Sequence, residues 1–172
     1  HMSVFKWGFV GAGMIAKKAL YPAISKSSVG EIYAVASRDA DRAMTISPKG
    51  LIYTDYDQMF ADPAVEGVYI SLPNAFHLPV AIKAMKAGKH VLCEKPFALS
   101  LAEVDEMTAV SEQTGMVLAE AFMYRHHPQT KIVGEWVKNG RLGDIISVQS
   151  TFNFMMANPD NVRLMIDTVR GA

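Results

Sequence analysis

A chain of 172 residues accommodates one domain, or one domain and part of a second, and its 50% hydrophobic and 20% charged content excludes an intrinsically disordered protein. Seventeen basic and seventeen acidic residues cancel, so no charge excess points to nucleic acid or to an acidic membrane. The single cysteine, Cys93, excludes an intrachain disulfide and a cysteine metal cluster and suits a reducing cytoplasm. No apolar run reaches membrane-spanning length, no signal peptide is visible, and His1-Met2 reads as a cloning remnant.

Short β-branched runs alternate with amphipathic segments, the pattern of a parallel sheet covered on both faces. Phe5–Val10 is the first predicted strand and Met14–Ser25 the helix after it, kinked or shortened by Pro22. Glu31–Ser37 is the second strand, and Asp39–Pro48 a short helix at best. Leu51–Tyr53 is a brief third strand, followed by a short helix over Tyr56–Ala61. Gly67–Ser71 is the fourth strand, and Leu78–Ala87 a helix closed by a left-handed Gly88. His90–Cys93 is the fifth strand, buried, with Cys93 a small core residue rather than a nucleophile. Ser100 and Glu103 form a capping-box pattern ahead of a helix that Gly115 ends, and Met116–Ala119 is the sixth strand. Pro128–Lys138 then predicts a helix with Ile132, Val133, Trp136 and Val137 facing a core. Asp144–Phe154 predicts a long strand, and Met155–Ala172 a polar loop.

The fold class is therefore α/β, a doubly wound parallel sheet of Rossmann type over residues 3–123. Residues 124–172 break that rhythm with a helix and a long strand that has nothing after it to pair with, and read as the beginning of an incomplete α+β second domain.

Val10-Gly11-Ala12-Gly13-Met14-Ile15-Ala16 places G-x-G-x-x-A between the first strand and its helix. Gly11 permits the tight turn, Gly13 lets the backbone approach a pyrophosphate, and Ala16 keeps the helix close to the sheet. Gly11, Gly13, Met14 and Ile15 together form the expected cradle at the helix N-terminus. At the end of the second strand stands Ser37-Arg38-Asp39, with Arg42 one turn later. Serine and arginine hydrogen-bond a 2′-phosphate, whereas an NAD site places a carboxylate first. The expected cofactor is NADP(H). NAD(H) is the alternative, with Asp39 on the ribose.

Three more segments are specific: Ser71-Leu72-Pro73-Asn74-Ala75-Phe76-His77, Gly88-Lys89-His90-Val91-Leu92-Cys93-Glu94-Lys95-Pro96, and Glu120-Ala121-Phe122-Met123-Tyr124-Arg125-His126-His127-Pro128. With the Gly11 loop they resemble the glucose–fructose oxidoreductase / inositol dehydrogenase family, in particular its dihydrodiol and xylose dehydrogenase branch. The resemblance implies an oxidoreductase that moves a hydride between nicotinamide and a carbinol carbon of a sugar, polyol or trans-dihydrodiol. It makes Lys95 the catalytic lysine and the Lys95-Pro96 bond cis. It puts Ser71, Pro73, Asn74 and His77 along the cofactor cleft, Glu94 beside the ribose and Arg125 near the nicotinamide. Arg38 and Arg42 match the pair that holds the 2′-phosphate in the dihydrodiol branch, and Met123 stands where that branch can carry a tryptophan.

The residues support Lys95 independently, since it follows the carboxyl end of a central strand and can donate to a substrate oxygen. His77, His126 and His127 lack a third convergent ligand, so no metal is assigned. Family members run to about twice this length, enough for two ordinary domains. Asn161-Val162-Arg163-Leu164 and Arg170-Gly171-Ala172 resemble the family's approach to a turn preceding the remaining active-site residues. The chain thus reads as the cofactor half of an enzyme that assembles as a homo-oligomer. The rival reading is a non-catalytic NADP(H)-binding module or an inert fragment.

Overall fold

The computed structural model describes residues 3–153 and 155. The apolar runs become six strands: β1 (Phe5–Val10), β2 (Gly30–Ala36), β3 (Ile52–Tyr53), β4 (Gly67–Ile70), β5 (His90–Cys93) and β6 (Leu118–Glu120). They form one sheet in the order β3-β2-β1-β4-β5-β6, and every neighbouring pair is parallel. Alternate side chains feed two cores. Val10, Ala36, Val68 and Ile70 lie in one, and Phe9, Val35 and Tyr69 in the other. Each face needs a helical cover, so the hydrophobic strands and the flanking amphipathic helices require one another.

The first core is closed by α4 (His77–Lys86), through Val80, Ala81, Ala84 and Met85, and by α5 (Leu101–Thr114), through Met107 and Val110. On the opposite face Ala16 packs against the sheet, with Ala43 of α2 (Ala40–Met44) and Ile46 beside it. The helix expected over Met14–Ser25 is interrupted. Ala16–Leu20 is a π-helical turn that passes into α1 (Tyr21–Ser25). Pro22 has no N–H to give to the preceding turn, and widening that turn relieves the mismatch. The short α3 (Tyr56–Ala61) fills the β3–β4 crossover.

Caps fix the register of these pieces. Asp39 Oδ1 accepts the Arg42 N–H at 2.9 Å, and Ser100 Oγ accepts the Glu103 N–H at 3.3 Å. Glu103 reaches back one residue beyond the expected partner, its Oε2 taking the Leu99 N–H at 2.8 Å. Gly88 (φ +76°) and Gly115 (φ +69°) turn left-handed where the chain leaves α4 and α5.

After β6 the chain changes character. A 3₁₀ turn (Met123–His126) leads into α6 (Pro128–Lys138), within the bounds the sequence predicts. Its apolar stripe does not meet the sheet's core, because Ile132, Val133, Trp136 and Val137 remain 36–47% exposed. The long strand expected from Asp144 is not formed over residues 144–153, which have no regular structure. An extended segment becomes a strand only by pairing its backbone, and no described strand runs beside this one. Phe154 and the polar loop after Met155, including Asn161–Leu164, lie outside the described residues.

Candidate dinucleotide site

In an all-parallel sheet the carboxyl ends of the strands gather on one edge, and the order here reverses between β1 and β4. That crevice is where open α/β sheets bind ligands. Gly11 leaves β1 with φ +90°, and its N–H donates to Ala36 O at 2.9 Å, tying the loop to β2. A Cβ at Gly11 would stand 3.0 Å from Leu72 Cδ2 and 3.2 Å from Ser71 Oγ, so conformation and space both require glycine. Gly13 differs. A Cβ there would meet only Ser71 O, at an ordinary 3.5 Å, so the protein itself leaves room for a side chain. Met14 is exposed at the mouth of the loop, Ile15 is half-buried, and Ala16 is fully buried under the helix start.

At the end of β2, Ser37 is buried and its Oγ accepts the Asp39 N–H at 3.2 Å. Asp39 caps α2 and stands 3.6 Å from the Arg42 guanidinium, which is otherwise exposed. Arg38 is exposed and forms one wall of a groove of about 340 Å³, together with Thr54, Tyr56, Leu72, Pro73 and Phe76.

The loop after β4 forms the facing wall. Ser71 N–H continues the sheet to Val10 O at 3.0 Å, and its hydroxyl lies 3.3 Å from the carbonyls of Val10 and Gly11. Pro73 lines the groove, and Asn74 is half-buried at the start of a 3₁₀ turn (Asn74–Phe76). His77 departs from expectation. It is fully buried, with Nδ1 2.9 Å from Pro96 O and Nε2 2.9 Å from Leu72 O. Carbonyls only accept, so the ring donates through whichever nitrogen carries its hydrogen, and the tautomer decides which of the two contacts is the hydrogen bond. The imidazole therefore lies beneath the two loops and ties them together instead of lining the cleft.

Lys95 follows β5 in a half-exposed turn, and the Lys95–Pro96 bond is cis. Among the described residues its Nζ has no hydrogen-bond partner or ion pair. Glu94 is buried, with Oε1 accepting the Tyr69 hydroxyl at 2.7 Å and Oε2 accepting the Lys95 N–H at 3.2 Å. Burial, then the Glu94 carboxylate, pushes the Tyr69 phenol well above its ordinary range, so it remains a donor at any ordinary pH. The Cys93 thiol is likewise pushed up, by burial first and then by Glu94 and Glu120, as befits an inert core residue. Arg125 and Met123 are exposed in the turn after β6. Among the described residues no three His, Cys, Asp or Glu side chains converge to hold a metal, and no helix is long and apolar enough to cross a membrane.

Two polar residues that sequence reasoning missed hold this end of the sheet. Tyr69 carries the Glu94 carboxylate, and Glu120 Oε1 accepts the Phe97 N–H at 3.0 Å. The available signal was chemical: a phenol in a fully buried strand must find a partner.

The sheet order, the glycine turn and the loops around it define a dinucleotide-binding α/β protein. Residues 5–122 match the model of the Gfo/Idh/MocA oxidoreductase family, with its NAD-binding Rossmann fold, and the chain belongs to that family. It is 37% identical to a D-xylose 1-dehydrogenase (NADP(+)) from Haloferax volcanii, over 96% of this chain and 52% of that protein. It is 36% identical to trans-1,2-dihydrobenzene-1,2-diol dehydrogenase from Mus musculus, over 89% of this chain and 47% of that one. A 3-ketoreductase from Actinomadura kijaniata, in complex with NADP and TDP-benzene, superposes with a TM-score of 0.75 at 32% identity, covering 80% of this chain and 43% of that one. The chain spans about half the length of the curated relatives it matches.

Proposed function

We propose that this chain is the NADP(H)-binding half of an oxidoreductase acting on the carbinol carbon of a sugar, polyol or trans-dihydrodiol. Residues 3–123 bind the cofactor, and residues from 124 onward begin the domain that completes the substrate site. The observation that carries the reading is Lys95. It is a lysine at the carboxyl end of a central strand, with Nζ uncommitted among the described residues and its peptide held by Glu94. Related enzymes named for D-xylose and for trans-1,2-dihydrobenzene-1,2-diol support the substrate class.

The residues fit the cofactor. Gly13 lacks a side chain where the protein has space for one, which leaves the helix N-terminus open to a pyrophosphate. Asp39, the residue able to hold an NAD ribose, is committed to capping α2 and to Arg42. Arg38, with no ion pair of its own among the described residues, and the exposed Arg42 beside it, which contacts Asp39 through Nε, supply guanidinium groups for a 2′-phosphate, and the Arg38 groove suits the adenosine end. When bound, the nicotinamide supplies or accepts the hydride. Lys95 donates a proton to the carbonyl oxygen of a ketone substrate, or takes it from the hydroxyl of an alcohol.

In the enzyme that carries this chain, Lys95→Met lowers kcat for oxidation of D-xylose or of trans-1,2-dihydrobenzene-1,2-diol by roughly a hundredfold or more, the range of general acid–base catalysis. NADPH affinity stays near the wild-type value. Near-normal turnover in that variant overturns the assignment.

A further inference from the structure

The peptide that carries Lys95 is held from three directions. Its own N–H donates to Glu94 Oε2 at 3.2 Å, the next carbonyl, Pro96 O, is 2.9 Å from His77 Nδ1, and the Phe97 N–H donates to Glu120 Oε1 at 3.0 Å. The two carboxylates come from adjacent strand ends, Glu94 directly after β5 and Glu120 closing β6, and Cys93 pairs with Glu120 in the sheet register. Glu94 is braced from below by Tyr69 on β4, whose hydroxyl reaches Oε1 at 2.7 Å. Tyr69 is fully buried and packs edge-on against Phe9 at 5.1 Å between ring centroids, so its hydroxyl cannot follow a moving partner.

Both ends of this turn give a main-chain N–H to a carboxyl oxygen, at 3.2 Å for Lys95 and 3.0 Å for Phe97. The main-chain donors on either side of Pro96 are therefore fixed to two neighbouring strands instead of being left to loop sterics. Displacements of about 1 Å at a reacting group can cost two orders of magnitude in rate, so such a clamp has catalytic consequences.

We propose that Tyr69 and Glu120 are positioning residues for Lys95: Tyr69 through Glu94, and Glu120 through the Phe97 amide, they fix residues 94–97 so that the lysine Nζ is presented at one place in the cleft. The inference rests on the reading of Lys95 given above. On this proposal both residues act through the main chain of residues 94–97, and neither supplies a proton.

The test uses Glu120→Ala, Glu120→Gln and Tyr69→Phe, with Lys95→Met as the reference variant. Glutamine keeps an acceptor oxygen for the Phe97 N–H and alanine does not, whereas phenylalanine keeps the Tyr69 packing and loses only the hydroxyl. Amide hydrogen exchange in this chain should show Phe97 losing protection in Glu120→Ala and Lys95 losing it in Tyr69→Phe. Amides of β1 and β4 should keep theirs, and Glu120→Gln should restore Phe97. In the whole enzyme, with NADP+ and D-xylose or trans-1,2-dihydrobenzene-1,2-diol, Glu120→Ala and Tyr69→Phe should lower kcat on the order of tenfold to a hundredfold. KM and NADPH affinity should be unchanged, and Glu120→Gln should recover most of the loss. Unchanged exchange at both amides, unchanged kcat, or equal losses in the alanine and glutamine variants overturns the proposal. If Lys95→Met itself keeps full turnover, the catalytic lysine is what fails, and the exchange pattern then reports a clamp without a reaction to serve.

Discussion

The two ends of the cofactor crevice are built on opposite plans. At the β1–β2 end the backbone is shaped by glycine, and the charged side chains stand out in solvent. Gly11 turns left-handed against Leu72 while Arg38 and Arg42 project from an exposed corner. At the β4–β5 end the polar side chains turn inward. His77, Glu94 and Tyr69 are buried, and they spend their hydrogen bonds on the loops above them. The first end leaves its charged side chains exposed to solvent. The second uses side chains to hold the main chain still around one lysine, and a mutation there should act through the fold.

That contrast can be broken most forcefully at His77. His77→Ala removes the ring that bridges Leu72 O and Pro96 O and leaves the carbonyl it donates to without a partner, in a site with no exposure. An orphaned buried acceptor costs about 1–3 kcal/mol and the lost ring leaves a cavity, so the expected loss is about 3 kcal/mol, read as a lower denaturant midpoint. A change below about 1 kcal/mol would mean that the loops hold themselves. At the other end, Arg38→Ala should leave stability alone and weaken NADPH binding about tenfold, near 1.4 kcal/mol, while NADH binding is unchanged. Equal losses for both cofactors, or none, would remove the 2′-phosphate from Arg38. A smaller effect separates the turn from the helix after it. Ser100→Ala should cost about 1 kcal/mol in thermal or denaturant unfolding, through the lost α5 cap alone. NADPH affinity in that variant should not move, since the 94–97 turn keeps its own anchors.

The same contrast explains what was legible in the sequence. Gly11, Arg38 and Lys95 are placed by local spacing, a strand followed by a turn, so their positions could be read off the chain. Cap residues and most element bounds are local for the same reason. Tyr69, His77 and Glu120 work through contacts that the sheet assembles, across 25 residues for Tyr69–Glu94, 19 for His77–Pro96 and 23 for Phe97–Glu120. No periodicity records such pairs, so the sequence suggests a cleft position for His77 where the structure shows a buried ring against Leu72 O and Pro96 O. Residues 144–153 show the converse error. Their alternation and β-branched content satisfy a strand pattern, but a strand is a pairing and the described sheet offers them no partner. Helix α6 needs only its own backbone, so it forms where its pattern says, with its apolar stripe unburied.

The smallest expected effect tests whether the open end also contains an inward-facing bond. Tyr53, on β3, donates its hydroxyl to Asp62 Oδ2 at 2.7 Å, and that bond, with burial next, raises its pKa from 10.0 to about 12. A group whose folded pKa lies above its unfolded value contributes stability that is complete below the unfolded pKa and disappears as pH rises through the folded one. The Tyr53 contribution should therefore be constant at neutral pH and fade between about pH 10 and 12. Lys89 runs the other way. Burial lowers its pKa, so its titration adds relative stability as pH rises, and the raw profile of the wild type mixes the two. The difference between wild type and Tyr53→Phe cancels Lys89. It should be positive and flat from about pH 7 to 9, then narrow toward zero by about pH 12, measured as denaturant midpoints. A difference that stays level across the alkaline range would mean the Tyr53–Asp62 bond carries no stability. The inward-bonding plan would then belong to the β4–β5 end alone.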